Sequence, residues 1–362
     1  MGKKIAVYTL CKNEEKHILD WLDNIREADA VFVGDTGSTD RSVELLESGN
    51  AHVSRLNILP WRFDLARNQL LASIPEDIDI CISLDMDERL NVGWRGMLED
   101  EWLEDTTRLE YHYTEILSRY DSYKNTFVTS RIHARNHYTW IYPVHERIQY
   151  TGSAGEKKVL SRRLHITHTP DMAKERTQYL GLLETAVSEN PTDLRLRHLL
   201  GRAYMQAGRA EHCISIMEEI QSYDAATDDL RRACVRLTAR ALGAKAEYDK
   251  AKTLLERLII ETPYCSAAYA ELAALAYQNG RWDDIITLSW GLGRINYSYK
   301  NEYNEFANAK LLLSDIASFA FYKKGNYVKA LEYAQQALSL NPGDTRLQQN
   351  IDSYHRRLGE NE

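Results

Sequence analysis

Short apolar runs alternate with amphipathic stretches through the first 170 or so residues. Ile5 to Leu10 predicts a strand, and Glu14 to Arg26 a helix with Ile18, Leu19, Leu22 and Ile25 on its apolar face. Ala30 to Val33 predicts a second strand, ending in Gly34-Asp35-Thr36-Gly37-Ser38-Thr39-Asp40. Ser38, Thr39 and Asp40 then supply an N-cap for a helix through Val43, Leu45 and Leu46. His52 to Ile58, Asp64 to Ser73 and Asp79 to Leu84 continue as strand, helix and strand. Such alternation implies an α/β unit of parallel strands with helical crossovers. Ligands of such sheets bind beyond the carboxyl ends of the strands. Thr9 to Glu14, Asp35 and Asp85 to Glu88 all fall at those ends.

From about Thr177 the pattern becomes continuous helix with an internal repeat. Ala246-Glu247-Tyr248, with Ala251 and Pro263, recurs as Gly325-Asn326-Tyr327 with Ala330 and Pro342 at the same offsets of 5 and 17. Gly280-Arg281-Trp282 and Gly208-Arg209 mark two further copies, the latter preceded by Leu200-Gly201 and Tyr204. The marker positions 208, 246, 280 and 325 are 38, 34 and 45 residues apart, close to the tetratricopeptide period. Small residues there let paired helices approach, and the proline stops the second helix. The expected division is an α/β domain over 1–172 and an all-α tetratricopeptide-repeat domain over 173–362.

Length and charge narrow the class of protein. At 362 residues the chain can build two cores. A net charge of −8 gives no global attraction to nucleic acid or anionic lipid. Five scattered cysteines without C-x-x-C spacing suit reduced thiols, not a disulfide frame or a zinc site. The apolar run after Met1-Gly2-Lys3-Lys4 is too brief for a signal peptide, and no stretch reaches the ~20 apolar residues of a membrane helix. A cytoplasmic location without a membrane span is the expectation.

The candidate chemistry lies in Leu84-Asp85-Met86-Asp87-Glu88, which closes the apolar run Ile78 to Ser83. Two carboxylates at i and i+2 on a strand end share one side of the backbone, and hard oxygens so placed suit Mg²⁺ or Mn²⁺ bridging to a diphosphate. Acidic residues also end strands in solvated turns, so the motif alone does not decide. With Thr9-Leu10-Cys11-Lys12-Asn13-Glu14-Glu15, Val33 to Asp40, Trp61-Arg62-Phe63-Asp64-Leu65-Ala66-Arg67-Asn68 and Pro143-Val144-His145-Glu146, the first half resembles family 2 glycosyltransferases of the GT-A fold. These stretches match the family's P-x-Y-N-E, V-D-D-G-S-T-D, F-x-x-A-R-N and V-H-E motifs over about residues 3 to 170, except that Thr36 replaces the second aspartate of D-D-G-S. Joined to repeats, the chain is distantly similar to the bacterial subgroup that includes the S-glycosyltransferase of sublancin biosynthesis.

The resemblance implies a nucleotide-sugar donor, with a UDP-sugar favoured, and an inverting transfer assisted by Mn²⁺ or Mg²⁺. It implies Asp87 as the direct metal ligand and Asp85 as a contact to the ribose or, through water, to the ion. Glu88 is either a third ligand or a solvated residue. In Leu164-His165-Ile166-Thr167-His168-Thr169-Pro170, an i, i+3 pair on extended backbone faces opposite sides, so one histidine reaches the ion. His168 matches the family's metal histidine, and His165 is then structural. Thr9, Leu10, Asn13 and Glu14 would line the nucleoside pocket, while Asp35 would bind uracil or ribose or cap its helix. Arg67 would meet the nucleotide or Asp85. Glu146 is the candidate base for the acceptor proton, with His145 as fallback, and pairing with Arg147 or Arg135 is the bland alternative. Trp140 is either a flat face for sugar C–H groups or a core residue.

Three functions compete. The first is transfer to a peptide or protein acceptor docked on the repeats. The second is the same chemistry on a saccharide, lipid-linked or nucleic-acid acceptor, with the repeats forming a homodimer. The third is an inactive scaffold. A nucleotidyltransferase would show a glycine-rich phosphate loop, and Thr9 to Glu15 has no glycine.

Overall fold

The computed structural model describes residues 2–116, 124–170, 178–298 and 308–359. It forms two compact units, Met1–Ala186 and Val187–Glu362. The expected division after residue 172, and Thr177, lie outside the described residues.

In the first unit, β1 (Ile5–Cys11), α1 (Glu15–Asn24), β2 (Ala30–Asp35), α2 (Ser42–Ser48), β3 (His52–Arg55), α3 (Phe63–Ser73) and β4 (Ile80–Ser83) realise the expected alternation. These four strands are parallel in the order β3-β2-β1-β4. β3 stops at Arg55, short of the expected Ile58. The chain reverses strand order between β1 and β4, and it is at the carboxyl ends beside such a switch point that these sheets bind ligands. The remainder is β5 (Glu88–Leu90), α4 (Trp94–Glu101), β6 (Arg108–Ile116), β7 (Lys124–Ala134), β8 (Tyr138–Ile141), β9 (Arg147–Tyr150) and β10 (Lys158–His168). β7 joins β4 antiparallel and extends the sheet as β4-β7-β6-β10-β5, while β8 and β9 pair separately. The result is a mixed eight-stranded sheet.

Alternation along β1 decides what covers each face. Ile5 and Val7 point into one buried cluster with Ile18 and Trp21 of α1, Leu46 of α2 and Trp94 of α4. Ala6 and Tyr8 point into the other, with Ala66 and Leu70 of α3 and Trp140 and Ile148 of the hairpin. That second cluster contains a directed polar chain. Trp140 Nε1 donates to the Tyr8 hydroxyl at 3.0 Å, and Tyr8 lies 2.8 Å from His133 Nε2. His133 Nδ1 is 2.7 Å from the Ala134 carbonyl, which can only accept. The proton therefore sits on Nδ1, and Nε2 accepts from Tyr8. Burial pushes the His133 pKa down to about 3.

The second unit is all-helical. After α5 (Tyr179–Glu189), which runs across the division between the units, come α6 (Leu194–Gln206), α7 (Ala210–Ser222), α8 (Asp228–Ala244) and α9 (Tyr248–Glu261). These are followed by α10 (Ser266–Gln278), α11 (Trp282–Ser289), a short 3₁₀ turn, α12 (Ala309–Lys323), α13 (Tyr327–Leu340) and α14 (Thr345–Gly359). The four sequence markers are the turns inside the pairs α6/α7, α8/α9, α10/α11 and α12/α13. Gly208, Ala246, Gly280 and Gly325 have φ of 71°, 61°, 64° and 74°. Each turn closes with the same two bonds, such as Gly208 N–H to Met205 C=O and Arg209 N–H to Tyr204 C=O. This is the left-handed helix cap that glycine favours. Ala251 and Ala330 are fully buried where their helices pack. Pro263 and Pro342 follow the ends of α9 and α13.

Ala246 is the one marker with a Cβ at a left-handed φ. Ala246→Gly should therefore stabilise the helical unit by roughly 1 kcal/mol, and Gly325→Ala, which meets no atom within 4 Å, should destabilise it by a similar amount. Urea unfolding followed by far-ultraviolet circular dichroism checks both signs. For His133, the unfolded side chain takes a proton below pH 6.5 and the folded one does not until about pH 3, so stability falls on acidification through that window. From pH 7 to pH 5 this histidine should remove about 2 kcal/mol. His133→Gln should lose that much less over the same interval. Equal pH slopes for the two proteins would refute the assignment.

Candidate active site

The β4 strand delivers Asp85 to the crevice, where two arginines hold it. Arg67 Nη2 donates to Asp85 Oδ1 at 3.0 Å, and Arg131 Nη1 donates to Oδ2 at 2.9 Å. Arg67 also donates to Ser83 Oγ at 3.0 Å and to Glu146 Oε1 at 2.6 Å. One guanidinium on α3 thus ties together the end of β4 and the segment before β9. Burial disfavours the charge on Asp85, but Arg67 and Arg131 outweigh it and hold the carboxyl well below its ordinary range. Burial likewise works against Arg67, and the Asp85 and Glu146 carboxylates overcome it and raise its pKa.

Glu88 is neither solvated nor open to a ligand, contrary to both expectations. It is 1 % exposed and accepts from Tyr113 Oη at 2.6 Å, from Arg131 Nη2, and from the Asp85 backbone N–H at 2.9 Å. Asp87 instead faces His168, whose Nε2 lies 3.3 Å from Asp87 Oδ2. The Thr169 N–H donates to the Asp87 carbonyl at 3.1 Å, which ties the acidic turn to the end of β10. His168 is desolvated, which lowers its pKa, yet the hydrogen bond and charge of Asp87 outweigh this and raise it. His165 belongs to the neighbouring register, opposite His112 on β6, away from Asp87.

The expected metal set of Asp85, Asp87 and His168 therefore reduces to two. Among the described residues no group of three or more His, Cys, Asp and Glu side chains is arranged to hold an ion. Asp87 and His168 themselves fit a hard divalent cation, as one carboxylate and one imidazole are a common minimal set when phosphate and water complete the shell. His168 Nδ1 is buried without a hydrogen-bond partner, and Glu115 Oε1 stands 4.0 Å from it, beyond hydrogen-bond distance.

The other predicted residues divide between the crevice and its supports. Thr9 is fully buried, its Oγ1 3.5 Å from Asp85 Oδ1, and Leu10 is half-buried beside it at the end of β1. Asn13, at φ 56°, accepts the Thr39 N–H on Oδ1 at 2.7 Å, while its own N–H donates to Ser38 Oγ. The Glu14 N–H donates to Ser42 Oγ at 2.8 Å. Asp35 is buried and accepts from the N–H groups of Gly37 and Ser38, so it organises its own turn. Asp40 accepts the Ser42 N–H at 3.0 Å, while the N-cap position of α2 is Arg41, whose side chain makes no capping bond.

Two expectations need correction. Trp140 offers no sugar platform: it is 2 % exposed, and the Arg67 guanidinium lies 4.9 Å from its ring centroid. Glu146 pairs with Arg67, not with Arg147 or Arg135. His145 is exposed, with φ of 51°, in the same loop as Tyr142 at 77°. Two non-glycine residues in left-handed backbone mark this loop as strained. Asn68 holds α3 to β8 by exchanging bonds with the Trp140 main chain at 2.7 and 2.8 Å. Arg131 was missed altogether, since a lone arginine inside a strand carries no local motif.

No helix among the described residues is long and apolar enough to cross a membrane, and all five cysteines are free and buried. Residues 317–344 match the tetratricopeptide repeat family. No curated protein matches the chain. Solved structures similar to it include one titled MamA MSR-1 C2, at 20% identity over 46% of this chain and 87% of that one, with a TM-score of 0.34. A second, TTC0263, a thermophilic TPR protein from Thermus thermophilus, shows 16% identity over 48% and 88%, with a TM-score of 0.35. The chain thus carries a tetratricopeptide repeat in its C-terminal helical unit, behind an α/β unit with a mixed sheet.

Proposed function

We propose that the first unit is a GT-A-type glycosyltransferase of family 2 that moves a sugar from a nucleotide-sugar, a UDP-sugar by preference, to a peptide or protein acceptor. One observation carries this reading: Asp87, in the turn that follows the carboxyl end of β4, stands 3.3 Å from His168 at the end of β10. That is where a doubly wound sheet binds its ligand. A bound Mn²⁺ or Mg²⁺ would supply charge neutralisation for a departing diphosphate.

The chain's own residues do the rest. Asp87 and His168 would hold the ion. Asp85, fixed by two arginines, keeps its charge at the nucleoside side of the crevice, next to Thr9. The Asn13 and Asp35 loops shape the nucleoside pocket. Glu146 would take the acceptor proton, its carboxylate aimed by the 2.6 Å bond from Arg67. The repeats would supply the acceptor surface, because helical repeats suit extended peptides.

The test is a thermal-shift and turnover screen of the full chain with Mn²⁺ and a panel of UDP- and GDP-sugars. A donor at 100 times its Kd should stabilise the fold by ~2.7 kcal/mol. Asp87→Asn should keep the fold while lowering turnover at least ~100-fold, a barrier change of about 2.7 kcal/mol. If no nucleotide-sugar shifts the melt, the reading is wrong and a binding scaffold takes its place. Labelled donor incubated with native lysate should mark protein bands; label in lipid, glycan or nucleic acid would overturn the choice of acceptor.

A further inference from the structure

The acidic run offers three carboxylates, and a loose cation would ordinarily find several ways to sit among them. Arg131 removes most of those ways. It lies on β7, where the pairing with β6 slips by one residue between Leu109/Ile132 and Tyr111/Thr129. Two residues of β7, Ser130 and Arg131, therefore oppose Glu110 alone. Such a bulge re-aims a side chain, commonly beside functional sites. Here the guanidinium enters between Asp85 and Glu88. Nη1 meets Asp85 Oδ2 at 2.9 Å, Nη2 meets Glu88 Oε1, and the group lies 5.5 Å from the Tyr113 ring centroid. Tyr113 Oη and the Asp85 N–H complete the shell of Glu88 at 2.6 and 2.9 Å.

We infer that Arg131 is a built-in cation: it occupies the position between Asp85 and Glu88 that a second metal ion would take, and so confines the exchangeable ion to Asp87 and His168. The inference rests on the transferase reading for what the exchangeable ion does, but not for the exchange of Arg131 against a cation. Arg131 is a positioning residue. It touches neither donor nor acceptor, and acts by fixing Asp85 and withholding Glu88. A permanent guanidinium cannot be lost to chelation and needs no free ion to keep the turn folded.

The experiment is a Mn²⁺ titration of the full chain, by calorimetry and electron paramagnetic resonance, with and without UDP. The wild type should bind one Mn²⁺ per chain. Arg131→Met should bind two, with the spin-coupled spectrum of neighbouring ions, and Arg131→Lys should return to one. A folded Arg131→Met protein that binds no more Mn²⁺ than the wild type would overturn the inference. Should that variant lack a cooperative melt in metal-free buffer, millimolar Mn²⁺ or Mg²⁺ should restore it; failure of both ions would equally overturn the inference. Absence of Mn²⁺ and UDP binding by the wild type defeats the transferase reading alone. Cation uptake by Arg131→Met still decides the role of Arg131.

Discussion

Asp85, held between the guanidinium groups of Arg67 and Arg131, is the constraint around which the first unit is arranged. Charges withdrawn from water are expensive unless paired and hydrogen-bonded. The crevice meets that requirement by drawing arginines from elements far apart in sequence. Arg67 comes from α3 and Arg131 from the inserted antiparallel strand β7. Each brings a second obligation, Glu146 for Arg67 and Glu88 for Arg131. Asp85, Glu88 and Glu146 with their two arginines thus fix the end of β4, the Asp85–Glu88 turn and the loop before β9 together. Asp87, between the two anchored carboxylates of the run, is turned instead toward His168.

This arrangement links the sheet to the chemistry proposed for it. Parallel strands bring the ends of β1, β2 and β4 side by side, and the loops there bind one another before they bind anything else. Asn13 receives Thr39, and Asp35 receives Gly37 and Ser38. Loops braced in this way would lose little entropy on binding the proposed donor, which is the advantage of preorganisation. The buried chain from Trp140 through Tyr8 to His133 does the same deeper along β1, where it locks the β8–β9 hairpin against the sheet.

What was legible in the sequence was whatever depended on neighbours along the chain. The strand–helix alternation, the acidic run after Ser83, the opposite faces of His165 and His168, and the four repeat turns are all local patterns. The repeat markers were legible because a left-handed cap demands glycine or a small residue at a fixed place. Glu88 was misread, and Trp140 was left open between a sugar platform and the core, because burial is settled by distant elements: Tyr113 and Arg131 close over one, Arg67 and Tyr8 over the other. Arg131 left no trace in the pattern, since its importance comes from a one-residue slip between β6 and β7 that no spacing rule reveals. The strands from β5 onward were similarly opaque, because the sheet there departs from simple alternation.

The central proposal, that Asp87 in the turn after β4 and His168 at the end of β10 would seat one divalent ion, is tested most directly by anomalous diffraction. Crystals of the full chain grown with Mn²⁺ and UDP should give one manganese peak per chain, within bonding distance of an Asp87 carboxylate oxygen and a His168 ring nitrogen. A peak elsewhere, or well-ordered Asp87 and His168 side chains with no metal between them, would contradict the account.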